Sequence, residues 1–134
     1  MKLLLDTQLL LWSALGDESI GGLGVMPRIA ASLIDDLKND LFFSPASIWE
    51  VAIKSALGRA AFAVDPRMLR RSVLDNGYRE VPITSAHGAA VGDLAPLHKD
   101  PFDRLLIAQA MVEGIVLLTT DRTVAQYPGP VRRV

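Results

Sequence analysis

The chain has 134 residues, with 15 acidic and 14 basic side chains, a net charge of −1, two histidines and no cysteine. That length suits one domain with its own core, spanning residues 1–134. The near-neutral balance argues against a protein that coats nucleic acid through a global basic field, and says little about a nuclease with few, local basic groups. The lack of cysteine excludes disulfide scaffolds and thiolate metal sites, and fits the reducing cytoplasm. Half of the residues are hydrophobic and the mean hydropathy is +0.28, yet no apolar run approaches the roughly 18 residues needed to span a bilayer. Leu3-Leu4-Leu5 is cut short by Asp6 and reads as neither signal peptide nor anchor. An apolar excess without a membrane span points to surface hidden by a partner or a second copy. Leu9–Trp12 and the Ile29–Leu37 segment are the candidate contact surfaces.

In chain order, Lys2 to Leu5 predicts a buried strand that ends in Asp6-Thr7. Gln8 to Leu15 stays apolar for too long to be a strand and predicts a helix. Gly16 to Gly24 carries four glycines and predicts a loop. Pro27 opens a helix to about Lys38, and Leu41-Phe42-Phe43 follows as a second strand. Ser44-Pro45 starts a third helix that closes at Gly58. Asp65 caps the next at Pro66, with Gly77 as its terminator. Arg79 to Val81 is a third strand, and Thr84-Ser85 caps a helix to about Gly92. After a connector from Leu94 to Lys99, Asp100 caps a helix with Pro101 in its first position, ending at Gly114. Its apolar residues lie almost all round, so it should be central. Ile115 to Thr119 is a fourth strand, and Val131 to Val134 a weaker fifth. Short apolar strands alternating with helices predict an α/β fold, with a central, mainly parallel sheet of four to five strands covered on both faces.

In such a sheet, ligands bind beyond the carboxyl ends of the strands. Asp6 follows the first strand and Asp121 the fourth, while Glu50 and Asp103 lie early in helices that begin at the same edge. Each acid also has a plainer reading. Ser47-x-x-Glu50 matches a capping box, and Asp6 and Asp121 suit turns. Those readings do not require all four to share one edge. Two carboxylates about 4 Å apart repel by roughly 4 kcal/mol at an effective dielectric of 20. A crowd of them calls for raised pKa values or a cation, and a hard oxygen set favours Mg²⁺ or Mn²⁺. Such an ion suits phosphodiester hydrolysis, in which it polarises the phosphoryl oxygen and activates water.

Leu3 to Thr7, Ser44 to Lys54, His98 to Ala110 and Leu117 to Asp121 together resemble the PIN-domain family, more narrowly its VapC-type toxins of toxin–antitoxin pairs. The resemblance covers nearly the whole chain, with the motifs in family order. It implies a three-layer α/β/α fold and a Mg²⁺- or Mn²⁺-dependent endoribonuclease that acts as a homodimeric toxin and is inhibited by a cognate antitoxin. By position, Asp6, Glu50 and Asp103 match the family's metal-binding acids and Asp121 its more variable fourth. Asp103 is preferred to Asp100 by its distance to Gly114, which leaves Asp100 as the cap or as an indirect contributor. Thr7, Ser47 and Thr120 would be hydroxyls that orient the carboxylates. Gln8 stands where this subgroup often has histidine, and the Gly21 to Pro27 loop looks longer than usual.

Lys54 sits four residues after Glu50 and either pairs with it or meets phosphate. Arg104, next to Asp103, either contacts the substrate or balances local charge. Arg67, Arg70, Arg71, Arg132 and Arg133 read as solvated faces. His87 reads as structural, and His98 as a residue beside the acidic helix, with contact to RNA as the alternative. Trp12 and Trp49 read as core or interface. The competing function is a catalytically inactive PIN-like module that binds RNA or protein. A haloacid-dehalogenase-type phosphatase would need an acid where Gln8 stands, and a receiver domain would need an acidic pair and a late lysine that are missing.

Overall fold

The computed structural model describes residues 1–16, 24–59 and 63–134. Most of the expected Gly16–Gly24 loop, and the first part of the Gly21–Pro27 segment, lie outside the described residues. In chain order the elements are β1 (Lys2–Leu5), α1 (Thr7–Leu15), α2 (Arg28–Asp35), β2 (Asp40–Phe43), α3 (Pro45–Ala56) and α4 (Pro66–Asp75). Then follow β3 (Arg79–Glu80), α5 (Ser85–Val91), α6 (Pro101–Glu113), β4 (Val116–Thr119), a 3-10 turn at Val124–Gln126, and β5 (Val131–Arg133). The five strands form one sheet in the order β3-β2-β1-β4-β5, and every neighbouring pair is parallel.

β1 is central because it is apolar on both faces. Leu3, Leu4 and Leu5 are each fully buried, as expected of a strand with helices on both sides. Alternation along the strand sends Leu3 and Leu5 to one face and Leu4 to the other. Leu3 and Leu5 pack with Leu9, Leu10 and Leu11 of α1, Val51 of α3, and Leu69 and Val73 of α4. Leu4 packs with Leu106, Ile107 and Ala110 of α6, together with Leu117 of β4. The helix α3 reaches both cores, with Val51 in one and Ala46 in the other. The three-layer α/β/α arrangement expected from the strand–helix alternation is therefore the observed one.

The chain leaves β1 toward β2 on one side and returns to pair β4 on the other. Strand order thus reverses between β1 and β4, and the connecting segments diverge there. The crevice at their carboxyl ends is the ligand position of open parallel sheets. Asp6 directly follows β1, and Asp121 lies two residues beyond β4.

One boundary and one contact surface differ clearly from expectation. α2 ends at Asp35, short of Lys38. Asp36 leaves helical geometry and accepts a hydrogen bond from the Lys38 N–H through its own carboxylate, which diverts the backbone into a turn. The first proposed contact surface is also corrected, since Leu9, Leu10 and Leu11 are fully buried and Trp12 is 5 % exposed. The apolar run there fills the core. On α2 and just beyond it, Ile29 and Leu37 do remain exposed.

Leu4 lies between Phe42 of β2 and Leu117 of β4. Leu4→Ala should therefore lower stability by about 2–5 kcal/mol in urea unfolding, the usual effect of an unfilled core position. A loss below about 1 kcal/mol would mean that this part of the sheet is loosely packed.

Candidate active site

Each of the four acids is fixed by a different local device. Asp6 is the N-cap of α1, and its Oδ1 accepts from the Leu9 N–H at 2.9 Å. The other oxygen accepts from the Thr119 hydroxyl at 2.7 Å. Parallel register sets that pair, because Leu5 lies opposite Leu118 and the next residues out are Asp6 and Thr119. Thr119 also accepts from the Asp121 N–H at 3.0 Å, so one buried hydroxyl ties the two strand-end acids together.

Glu50 lies inside α3 and is 4 % exposed. The helix is capped by Ser44, whose hydroxyl accepts from the Ala46 N–H, so Ser47 and Glu50 do not form a capping box. Instead the Thr7 hydroxyl donates to Glu50 Oε1 at 2.7 Å and shares a 2.9 Å hydrogen bond with the Ser47 hydroxyl. Lys54 pairs with the other Glu50 oxygen one turn on.

Asp103 occupies the first turn of α6, close to the positive end of the helix dipole. Asp100 is the cap and accepts from the Phe102 N–H at 2.8 Å and the Asp103 N–H at 3.3 Å. Asp121 accepts from the Thr123 and Val124 N–H groups through Oδ1, which leaves Oδ2 toward the site. His98 Nε2 lies 2.8 Å from Asp103 Oδ2 and 3.9 Å from Asp121 Oδ2.

Crowding shows in the acidities. Burial pushes the Asp6 carboxyl up to about 6, opposed by the Leu9, Thr119 and Thr120 hydrogen bonds and assisted by the charge of Glu50. Asp103 is pushed up to about 7 by burial, then by the charges of Asp100, Asp6 and Glu50, against the pull of its His98 hydrogen bond. Asp6 therefore feels the charge of Glu50, and Asp103 the charges of Asp100, Asp6 and Glu50. Among the described residues, the donor atoms lying within 4.8 Å of one another are those of His98, Asp103 and Asp121. Asp6 and Glu50 act on Asp103 through charge from outside that group. Buried and half-buried carboxylates with raised pKa values are a hard donor set whose charge a divalent cation would relieve, so the residues fit such an ion.

Several expectations change on contact with the structure. Thr120 does not orient a carboxylate through its hydroxyl, which donates to Gln8 Oε1 at 3.3 Å. Its backbone N–H serves Asp6, and the adjacent Thr119 supplies the hydroxyl. Arg104 is committed to the Val91, Ala95 and His98 carbonyls and the Tyr127 hydroxyl. It fastens the connector before α6, which explains its place better than substrate contact does. His98, read from sequence as a neighbour of the acidic helix or a contact to RNA, lies with Asp103 and Asp121. Trp49 is 59 % exposed and meets Phe102 edge-on at 5.2 Å, so of the core and interface readings the core one is excluded. His87 is structural as expected: its Nδ1 accepts from the Thr84 N–H and its Nε2 bonds Glu113.

The raised pKa values carry a definite sign. A carboxyl whose folded pKa lies above its unfolded value of 3.8 keeps its proton longer in the folded chain. Its contribution favours folding at low pH and is lost as pH rises from about 4 through 6 to 7. For Asp6 the loss is on the order of 3 kcal/mol. In chelator, Asp103→Asn should raise Tm by several degrees at pH 7.5 and by clearly less at pH 5. Equal shifts at both pH values would show that Asp103 is not strained by its neighbours' charge.

The fold is similar to that in the crystal structure of VapBC2 from Rickettsia felis bound to a DNA fragment from their promoter. That match has 13 % identity and a TM-score of 0.70, over 99 % of this chain and 98 % of that chain. The crystal structure of DNA-bound VapBC from Salmonella typhimurium is similar at 15 % identity and a TM-score of 0.60, with the same coverage of both chains. No curated protein matches the sequence. The profile of the PIN domain matches residues 3–130, spanning every strand-end acid and helix start described above, and the chain belongs to the PIN-domain family.

Proposed function

We propose that this chain, acting as a single PIN domain, is a metal-dependent endoribonuclease and the VapC-type toxin of a toxin–antitoxin pair. The observation that carries the reading is the set of buried and half-buried carboxylates at the β1/β4 crevice, two of them with pKa values held well above the ordinary carboxylate range. Such an arrangement is unfavourable for an empty pocket and favourable for one that takes a divalent cation. Asp6, Glu50 and Asp103 are the proposed ligands, with Asp121 at the margin and Asp100 acting through its charge. Mg²⁺ or Mn²⁺ bound there would supply charge stabilisation at a scissile phosphodiester and a more acidic water.

The chain's own residues prepare that step. Hydrogen bonds from Thr119 and the Leu9 N–H hold the Asp6 oxygens in place, and Thr7 fixes one oxygen of Glu50. Lys54 neutralises the other Glu50 oxygen until an ion or a phosphate competes for it. The exposed Trp49 stands at the rim, where a single-stranded substrate would pass. A homodimer, a cognate antitoxin and a cytoplasmic setting complete the proposal. Similarity to toxin–antitoxin complexes supports the antitoxin. Exposed Ile29, Trp49, Leu57 and Met68 leave apolar surface for protein contacts. Among the described residues, no helix is long and apolar enough to cross a membrane.

Incubation with structured RNA should give cleavage in Mn²⁺ or Mg²⁺ and none in excess chelator. Asp6→Asn should cut the rate at least about 100-fold, because it removes one charge from the oxygen set. Retained binding of RNA with no cleavage under any divalent ion would favour the binding-only module. Expression without the antitoxin should halt growth, whereas Asp6→Asn should not.

A further inference from the structure

Building on the proposed metal-dependent site, we propose that His98 is itself a ligand. With Asp103 and Asp121 it forms a mixed nitrogen–oxygen position that selects a transition-metal ion such as Mn²⁺ over Mg²⁺. The donors of these three residues are the ones that lie within 4.8 Å of one another among the described residues. They are more tightly grouped than the all-carboxylate set of Asp6, Glu50 and Asp103.

The geometry suits a small divalent ion. Imidazole nitrogen and carboxylate oxygen bind first-row ions at about 2.0–2.2 Å, so ligands at right angles lie about 3 Å apart and opposite ligands about 4 Å apart. From His98 Nε2 the two carboxylate oxygens stand at 2.8 and 3.9 Å. Asp121 spends its other oxygen on two backbone N–H groups, so Oδ2 is the one offered.

His98 is also held as a ligand should be. Its N–H donates to the Tyr127 hydroxyl at 2.9 Å, and its carbonyl accepts from Arg104 Nη1 at 3.5 Å. Arg104 donates in turn to the same Tyr127 hydroxyl at 3.0 Å, and Tyr127 is 4 % exposed. The buried tyrosine and the arginine thus fix the backbone from which the imidazole reaches the acids. Mg²⁺ prefers oxygen alone, whereas transition-metal ions accept imidazole readily. A histidine in this place therefore biases the choice of ion.

The test loads the full-length protein with Mn²⁺ and reads nitrogen couplings by electron spin-echo envelope modulation. The chain has two histidines, and both ring nitrogens of His87 are already engaged. A histidine coupling would therefore come from His98. The expected result is an imidazole modulation that changes frequency when histidine is labelled with the heavier nitrogen isotope. It should vanish in His98→Gln, with Mn²⁺ affinity weakened about tenfold and Mg²⁺ affinity changed far less. The isotope label needs no substitution, so a poorly folding variant leaves the test intact. Mn²⁺ bound without histidine coupling would overturn the role of His98 and leave the carboxylate site standing. Equal loss of both ions in His98→Gln would do the same. No Mn²⁺ bound to the parent protein would overturn the metal-dependent site as well.

Discussion

Several carboxylates share a small, poorly hydrated space at one edge of the sheet, and their mutual repulsion is the constraint around which the surrounding residues are arranged. Coulomb energies at such separations amount to several kcal/mol, comparable with the whole stability margin of a small domain. The chain meets that load with donors. Backbone N–H groups at the starts of α1 and α6 point at Asp6 and Asp100, and hydroxyls of Thr7 and Thr119 point at Glu50 and Asp6. Lys54 and His98 each bond one acid. Even so, the pKa values of Asp6 and Asp103 remain well above the ordinary carboxylate range. The pocket is organised for negative charge and incompletely neutralised.

The rest of the fold can be understood as the support such a pocket needs. β1 is buried on both faces and paired on both edges, so the residue that follows it has little freedom. Its neighbour β4 delivers Thr119 and Asp121 in fixed register. The helix α3 enters both cores, which explains how Glu50 can be nearly inaccessible and still face the crevice. α6 is buried on all sides from Leu106 to Ala110, as its apolar sequence predicted, and its N-terminus carries Asp100 and Asp103. Rigid elements thus bring in the acids, as a site must if small displacements are not to undo it.

Much of this architecture was legible in the residues. Pro45, Pro66 and Pro101 mark helix starts, and Asp65, Thr84 and Asp100 act as the caps expected of them. Three leucines in a row predicted a strand covered on both faces. Local ambiguity left other readings open. Ser47-x-x-Glu50 has the spacing of a capping box, but Ser44 captured the helix start and freed Glu50. Leu9–Trp12 has the apolarity of an interface, yet it fills the core. Arg104 sits beside an acid in sequence, but helical geometry turns it toward the 91–98 connector.

By itself the sequence determined the parallel α/β order and the edge at which four acids gather, because hydrophobic periodicity and capping chemistry act within a few residues of each position. Tertiary structure alone decided which hydroxyl serves which carboxylate. Thr119 rather than Thr120 meets Asp6, a consequence of strand register that no local pattern encodes. It also decided that His98 turns inward between Asp103 and Asp121. That direction is set by Tyr127, distant in sequence and brought alongside by the packing of the last turn.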